Sequence, residues 1–408
     1  MAGVNDAQAI TAWARKYGVS CNVCHVNGYK LTAAGQKFLR GGHQMPGGET
    51  GKEANLSDYL AMTAKIRTWG TTTVTHESGK DDVRAAKSSF EMHALSLYSG
   101  GPLSNGFSYF SEFYLHENEK KFTASASEAN VSDMGDWGRS KLAEAFLQYD
   151  YKVNENAGVF GRAGRIMPWL IHLHGGGARL EYARGLPLQS TFGDNPYRPF
   201  ARQYGVSFGG SYKDLFAEMG VVNGTGKLEN AHEVDTDPHK DVYGTLDYTL
   251  DSNGSMLGVY YYRGSYPLHF FGKAKGRDLF YQAGLMGNYT FDVTEKHGGA
   301  LIGMYLFGNN RYRATTAVTE EDHRSATYSL QAQGHLWGDK IGPYFRWEHF
   351  DPDKAKTDNE TYGPVLGLNW KPFDHGRFVF EYSKYTKRVS QTKRTYDRAG
   401  TLEMQYMF

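Results

Sequence analysis

The residues whose spacing points most directly to chemistry are the two cysteines of the chain, which lie in Cys21-Asn22-Val23-Cys24-His25. Cys-x-x-Cys-His is the attachment motif of c-type haem, because two thiols bond the vinyl groups and the adjacent histidine reaches the iron. A zinc site would need a second ligand pair, and a redox dithiol would need a βαβ setting. The motif therefore predicts one covalent haem c on Cys21 and Cys24, with His25 as the proximal iron ligand.

The ligand on the opposite face of the iron is less tightly specified by the sequence. Met45 is the first candidate, since Met45-Pro46 resembles the distal Met-Pro of small c-type cytochromes and a thioether ligand raises the reduction potential. His43 is the alternative distal ligand, and Met62 is a weaker one. A five-coordinate iron, with Met45 an ordinary packing residue, also stays open.

Two short helices are expected to position the motif. Residues 5–20 carry apolar side chains at helical spacing up to Gly18, and a second helix is predicted over 33–40. The haem segment, residues 1–57, is small for an independent core, so we expect the haem and the remaining chain to complete it. No apolar leader core follows Met1, and haem c is attached outside the cytoplasm, so we expect an export signal to have been removed.

From about residue 58 the apolar side chains alternate with polar ones in a period of two, as in 241–250. Such alternation gives a strand one apolar and one polar face. The pattern predicts an all-β domain over 58–408 with about 16 strands. They are placed near 58–70, 86–98, 107–116, 142–152, 157–166, 202–211, 214–224, 241–250, 255–263, 278–291, 299–307, 327–337, 341–350, 361–371, 376–388 and 399–408.

The connections between these segments alternate between short and long, which is typical of a transmembrane β-barrel with short periplasmic turns and long outer loops. No blade or solenoid repeat recurs, and a soluble sandwich would not need regularly alternating long loops. The terminal Phe408 resembles the assembly signal of outer-membrane barrels. The long connections are expected at 71–85, 117–141, 167–201, 225–240, 264–277, 309–326, 351–360 and 389–398.

The composition agrees with a barrel and excludes other classes. The chain has 408 residues, 40% of them apolar and 14% aromatic, yet its mean hydropathy is −0.57. No stretch approaches the roughly 18 apolar residues of a membrane-spanning helix. With 45 basic and 44 acidic residues, no charge excess favours nucleic acid as a partner. Outer-membrane lipid is the expected surrounding, and the oligomeric state is left open.

A monohaem segment fused to about 16 amphipathic strands resembles the fused outer-membrane cytochrome–porin family, the iron oxidases of iron-oxidising bacteria. The resemblance is carried by residues 14–25 and continues in residues 31–38, with a Gly-x-x-Phe run. It implies an Fe(II):cytochrome c oxidoreductase in the bacterial outer membrane. Extracellular Fe(II) would be the electron donor, and a periplasmic cytochrome c or similar carrier the acceptor. The alternatives are a porin whose haem segment is a plug or sensor, and the same conduit run in reverse.

One haem at the periplasmic face would lie too far from an outside donor, because the hydrocarbon core is about 30 Å thick. We therefore expect the haem segment to plug the barrel lumen. Three groups are candidate Fe(II) ligands, although collision with an exposed haem edge would need none, and acidic loops are usually just solvated. The groups are Glu229, His232, Glu233, Asp235, Asp237, His239 and Asp241; Glu320, Glu321, Asp322 and His323; and His172 with His174.

Overall fold

A computed structural model of the chain gives the fold. Within it, no helix is long and apolar enough to cross a bilayer over the described residues. The structure describes residues 11–26, 30–45, 58–117, 141–177, 179–192, 197–224, 238–267, 277–294, 296–311, 322–338, 340–373 and 375–407.

Sixteen antiparallel strands, β3 to β18, form a closed barrel in which each strand pairs with its neighbours in the chain. The last strand closes on the first, with Met407 opposite Thr63. The predicted strand number and fold class are confirmed. The strands are β3 Leu60–Glu77, β4 Val83–Pro102, β5 Phe107–Glu117, β6 Lys141–Lys152, β7 Ala157–Ile166, β8 Gln203–Tyr212, β9 Leu215–Val222, β10 Asp241–Thr249, β11 Met256–Pro267, β12 Arg277–Thr294, β13 His297–Asn310, β14 His323–His335, β15 Ile341–Asp351, β16 Thr361–Phe373, β17 Gly376–Ser390 and β18 Lys393–Met407.

The outer and inner faces of the barrel wall carry different side chains, because successive residues of a strand point to opposite faces. In β9, Leu215, Met219 and Val221 are exposed on the outer face. Glu218 and Val222 alternate with them and are buried in the lumen. Closure pairs the backbone groups of every strand, and the outward apolar side chains suit contact with lipid.

Short turns join the strands at one end of the barrel, which we call the turn end, and both ends of the barrel chain lie there. Examples are the turns at 153–156 and 213–214. The opposite end, the loop end, carries the longer connections. In outer-membrane barrels the short turns face the periplasm.

Two predicted long loops are wrong. Residues 71–77 and 83–85 belong to β3 and β4, which meet at 78–82, and most of 389–398 belongs to β17 and β18. These extensions lie at the loop end, where the outer face no longer needs lipid-compatible side chains. Their threonines, lysines and arginines therefore hide the strand period from a hydrophobicity pattern.

The described part of the haem segment lies inside the lumen near the turn end. It comprises helix α1 (Thr11–Tyr17), a 3₁₀ turn (Cys21–Val23), the short pair β1 (His25–Val26) and β2 (Lys30–Leu31), and helix α2 (Ala33–Arg40). Gly18, with φ of 60°, ends α1, and α2 has the predicted bounds. Residues 1–10 and 46–57 are outside the described residues.

Buried polar contacts fix α2 to the barrel wall. The Arg40 guanidinium forms an ion pair with Asp247 at 2.7 Å, and both side chains are almost fully buried. Gln36 Nε2 donates to the carbonyl of Gly254 at 2.8 Å, and Thr249 donates to Gln36 Oε1 at 2.9 Å. The segment therefore packs as a plug of the barrel mouth.

The third connection at the loop end, residues 167–202, folds back into the lumen instead of projecting outwards. This inserted loop contains helix α3 (Trp169–Ile171), a π-helical turn (His172–Gly176) and helix α4 (Leu186–Gln189). Trp169, Leu170 and Ile171 are buried. The loop therefore fills the middle of the barrel above the plug.

Three glutamates on the inner wall hold the inserted loop by accepting hydrogen bonds from its backbone. Glu218 accepts from the amide of Trp169 at 2.9 Å. Glu381 accepts from the amide of Tyr182 at 3.0 Å, and Glu348 from that of Leu186 at 2.6 Å. Charged acceptors make strong bonds to backbone N–H groups, so the loop is fixed at three separate points.

We expect Gly35→Ala to impair haem incorporation. A Cβ on Gly35 would lie 2.1 Å from the backbone oxygen of Cys24, so α2 and the haem motif would have to separate. Thr32 joins the same two elements, since its amide donates to Cys24 O at 3.0 Å. The measurement is the haem-to-protein ratio of the purified barrel. Gly303→Ala, whose added Cβ would make ordinary contact with Leu330 at 3.6 Å, is the control and should leave the ratio unchanged.

Candidate functional site

The candidate site is a cavity with an empty volume of about 1840 Å³ between the plug and the inserted loop. Its walls come from the haem segment, the inserted loop and the inner faces of several strands, including β3 and β18. A large ligand can therefore contact all three parts of the protein at once.

The structure brings most of the predicted haem-binding residues to this cavity. Cys24, His25, His43 and Met45 all line it. The backbone of Cys21 lies in the 3₁₀ turn immediately before Cys24, and its side chain is outside the described part. Both proposed distal ligands thus reach the same space as the proximal histidine.

Met62, the weaker distal candidate, does not reach the cavity. Its neighbour Thr63 and the next residue of the same parity, Lys65, line the cavity from β3. Since side chains alternate across a strand, Met62 points to the outer face of the barrel.

His43 is a buried imidazole held in a specific orientation. Its backbone adopts a left-handed φ of 63°, and its ring stacks on Trp13 at 4.2 Å and on Phe110 at 5.0 Å. Nδ1 of this ring is buried without a hydrogen-bond partner among the described residues. Burial, with smaller effects of His172 and Arg162, lowers the pKa of His43 to about 3. A neutral imidazole is the form that binds metals.

His172 also faces the cavity, from the π-helical turn of the inserted loop. Burial, then the charges of Arg202 and Arg162, lowers the pKa of His172 to about 3. The expectation that His172 and His174 share one side of an extended segment is wrong. The segment is helical, and His174 lines a separate small cavity, with Nδ1 near the carbonyl of Leu170 at 3.1 Å.

One wall of the cavity is aromatic. Trp13 and Phe38 of the plug contact each other edge to face at 5.4 Å. Phe110 and Phe146 of the barrel wall lie 5.8 Å apart, and Phe146 meets Trp169 of the inserted loop at the same distance. This wall suits a flat apolar ring system and excludes water from it.

The lining of the cavity also carries many charged side chains of both signs. Five basic residues and four glutamates line the cavity, namely Lys65, Arg179, Arg184, Arg202 and Arg377, with Glu112, Glu144, Glu181 and Glu403. Arg202 binds Glu112 at 2.9 Å and Glu144 at 3.1 Å. Sequence reasoning missed these arginines. For Arg179 and Arg184 the available signal was the presence of three arginines within residues 179–198 of one expected loop.

A second cavity, with an empty volume of about 1320 Å³, continues along the same wall toward the loop end. It is lined by Arg67 and then by Thr71, Thr73 and Thr75 of β3, whereas the first cavity is lined by Thr63 and Lys65. Arg67 to Thr75 is roughly 26 Å of strand at 3.3 Å per residue. This cavity, which is also lined by Trp69, Val83, Ala85 and Ala399, thus extends from the outer part of the barrel toward the candidate site.

Tyr182 lines both cavities and forms part of the partition between them. Its hydroxyl accepts a hydrogen bond from Arg67, whose guanidinium also pairs with Glu91. Burial raises the pKa of Tyr182 to about 12, so the hydroxyl stays protonated at neutral pH. A neutral hydroxyl group thus lies between the two cavities.

The two predicted acidic clusters are only partly described. Residues 229–237 and 320–321 are outside the described residues. Of the others, Asp241 accepts from Tyr262 at 2.6 Å inside the wall, and His323 lies 3.5 Å from Asp353. No group of three His, Cys, Asp or Glu side chains suited to hold a metal ion occurs in the part of the chain that the structure describes.

The residues present fit a haem. The attachment motif opens into the cavity, whose lining offers neutral imidazoles, a thioether, aromatic rings and guanidinium groups. These are the donor types that an iron porphyrin with two carboxylate side chains requires.

Comparisons with known proteins bear on the barrel. No family model matches the chain, and a search of curated proteins finds no match. Among solved structures, the anion-selective porin of Comamonas acidovorans superposes with a TM-score of 0.53 at 13% identity, covering 86% of this chain and 99% of the porin. The outer membrane channel DcaP of Acinetobacter baumannii gives 0.53 at 11% identity, with coverage of 86% and 97%. The likeness shows a porin-type fold. With its lipid-compatible outer face, this chain is an outer-membrane β-barrel.

Proposed function

We propose that the protein is an outer-membrane electron conduit, an Fe(II):cytochrome c oxidoreductase with one covalent haem c in the barrel lumen. The observation that carries the proposal is the position of Cys24 and His25, which open into the cavity between plug and inserted loop. A haem in this cavity would supply a one-electron couple at a fixed place in a wall that otherwise conducts no electrons.

The residues of the chain would divide the work. Cys21 and Cys24 would hold the ring, and His25 would bind the iron together with Met45, with His43 as the alternative to Met45. Trp13 and Phe110 would keep water from the ring. A haem held here would supply a one-electron couple, with Fe(II) as the electron donor and a periplasmic cytochrome c or similar carrier as the acceptor. The second cavity, about 1320 Å³, would give the donor an approach past Arg67, Lys87 and Glu91.

A second candidate function is a channel whose haem segment is a plug or sensor. The porin-type fold and the cavity along Thr71, Thr73 and Thr75 favour it. The two functions differ in what crosses the membrane, since the conduit moves electrons and the channel moves solutes through the lumen.

The decisive experiment adds Fe(II) anaerobically to the oxidised, haem-loaded protein in detergent and follows the haem absorption bands. We expect rapid conversion to the reduced spectrum and re-oxidation by an added cytochrome c. In planar bilayers the intact protein should conduct little, because plug and inserted loop fill the lumen. A haem that stays oxidised, together with porin-like conductance, would support the channel instead. A potential well below zero would support current in the reverse direction.

A further inference from the structure

Buried arginines of the lumen generally have a carboxylate partner in the described structure. Arg40 pairs with Asp247 at 2.7 Å, and Arg162 with Glu218 at 2.6 Å. Arg346 pairs with Glu348 in the same way, at 3.1 Å. Burial of a charge requires such compensation, because an unpaired buried ion costs several kcal/mol of solvation free energy.

Arg179 and Arg184 are half-buried, and they differ from these three because neither forms an ion pair among the described residues. Each forms a hydrogen bond to a backbone carbonyl, Arg179 to Tyr182 at 2.6 Å and Arg184 to Gly176 at 3.1 Å. The Nε atoms of both are buried and lack a hydrogen-bond partner, as do those of Arg40 and Arg346. Both line the candidate haem cavity from the inserted loop.

Glu181 and Glu403 attract the Arg179 guanidinium but form no ion pair with it among the described residues. Glu181 accepts a hydrogen bond from Gln331, and Glu403 accepts one from Gln405 at 2.5 Å. Burial, with repulsion from Arg179 and Arg202, lowers the pKa of Arg184 to about 9. The environment therefore disfavours this positive charge unless an anion joins it.

We propose that Arg179 and Arg184 bind the two propionate carboxylates of the haem. The inference rests on the proposed function, since it assumes that the haem attached at Cys24 occupies the cavity. The two guanidinium groups equal the two propionates in number, and guanidinium forms the strongest and most directional hydrogen bonds to carboxylates. The haem then bridges the plug, which supplies its thiols and histidine, and the porin loop, which supplies its counter-charges.

This arrangement has an electrostatic consequence. Two cations close to the ring stabilise the reduced haem, which carries one positive charge fewer than the oxidised form. They also keep the propionates ionised. Loss of either arginine should therefore lower the reduction potential and make it more dependent on pH.

The test uses the full-length, haem-loaded protein and the variants Arg179→Gln, Arg184→Gln and both together. Potentiometric titration over a range of pH should give a lower and more pH-dependent potential, and resonance Raman spectra should show shifted propionate bands. Arg184→Lys, which keeps the charge, should restore most of the potential. Arg388→Gln is the matched control, because Arg388 pairs with Glu360 at 3.3 Å away from this cavity.

The outcomes of this test distinguish an error in the arginine assignment from an error in the proposed function. If the double variant carries haem and its reduction potential and propionate bands are unchanged, the arginine assignment is wrong and the proposed function still stands. A change in anion selectivity in bilayers with unchanged haem spectra would likewise overturn it and point to a diffusible anion. If the propionate bands shift but added Fe(II) does not reduce the haem, the arginine assignment is supported and the proposed iron oxidation is contradicted. Changed electrophoretic mobility on heating checks that each variant barrel is folded.

Discussion

Replacement of both Cys21 and Cys24 by serine is expected to abolish covalent haem incorporation while leaving a folded barrel. The thioether bonds need the thiols, and no other cysteine exists in the chain. The strand ladder, by contrast, does not involve either residue, since β3 begins at Leu60. Peroxidase staining for haem after denaturing electrophoresis measures the first effect, and heat-modifiable mobility measures the second.

Val23→Ala is the matched control for the double cysteine variant. Val23 lies between the cysteines and is 40% exposed, so its truncation keeps the motif and costs little packing. This variant should stain as strongly as the unaltered protein. Haem that stays covalently bound in the double serine variant would contradict the attachment site, and with it the proposed conduit.

Glu218→Ala is expected to destabilise the lumen more than any other single carboxylate change. Glu218 Oε1 accepts from Arg162 at 2.6 Å and from Tyr243 at 2.8 Å, and the other oxygen accepts from the amide of Trp169 at 2.9 Å. Its truncation leaves Arg162 as an unpaired buried charge, and breaking such a pair typically costs about 3–5 kcal/mol. It also releases the start of the inserted loop.

Two measurements test this prediction. Urea unfolding in detergent micelles should show a lowered midpoint, and bilayer recordings should show raised conductance, because the loop no longer fills the barrel. Glu77→Ala is the control, since Glu77 pairs with Lys393 at 3.6 Å on the exposed rim and should change neither quantity. Conductance unaltered by Glu218→Ala would mean that the loop stays in place without this anchor.

The double variant Arg162→Met with Glu218→Met separates the effect of the unpaired charge from the effect of releasing the loop. Replacing a whole buried ion pair by apolar side chains of similar size is often nearly neutral. We therefore expect this variant to recover stability relative to Glu218→Ala. Its conductance should stay raised, because the hydrogen bond to the Trp169 amide is still missing.

The sequence by itself determined the features that depend on local order along the chain. Alternation of apolar and polar side chains follows from strand geometry, so it predicted sixteen strands and a lipid-facing side. The spacing between Cys21 and His25 is a local property as well, and Gly18 marked the end of the first helix by its own conformational freedom. Only at the loop end did this reasoning fail, since strands that leave the lipid no longer need an apolar face.

The tertiary structure decided which residues share the lumen. Arg179 and Tyr182 belong to a segment with no periodic pattern, and nothing in their order along the chain says whether the loop turns outwards or inwards. That choice depends on the anchors Glu218, Glu348 and Glu381, which come from strands far away in sequence. Closure of the barrel brings them to one place. The part of the cavity lining that comes from the inserted loop is therefore a product of long-range contacts, which no local pattern encodes.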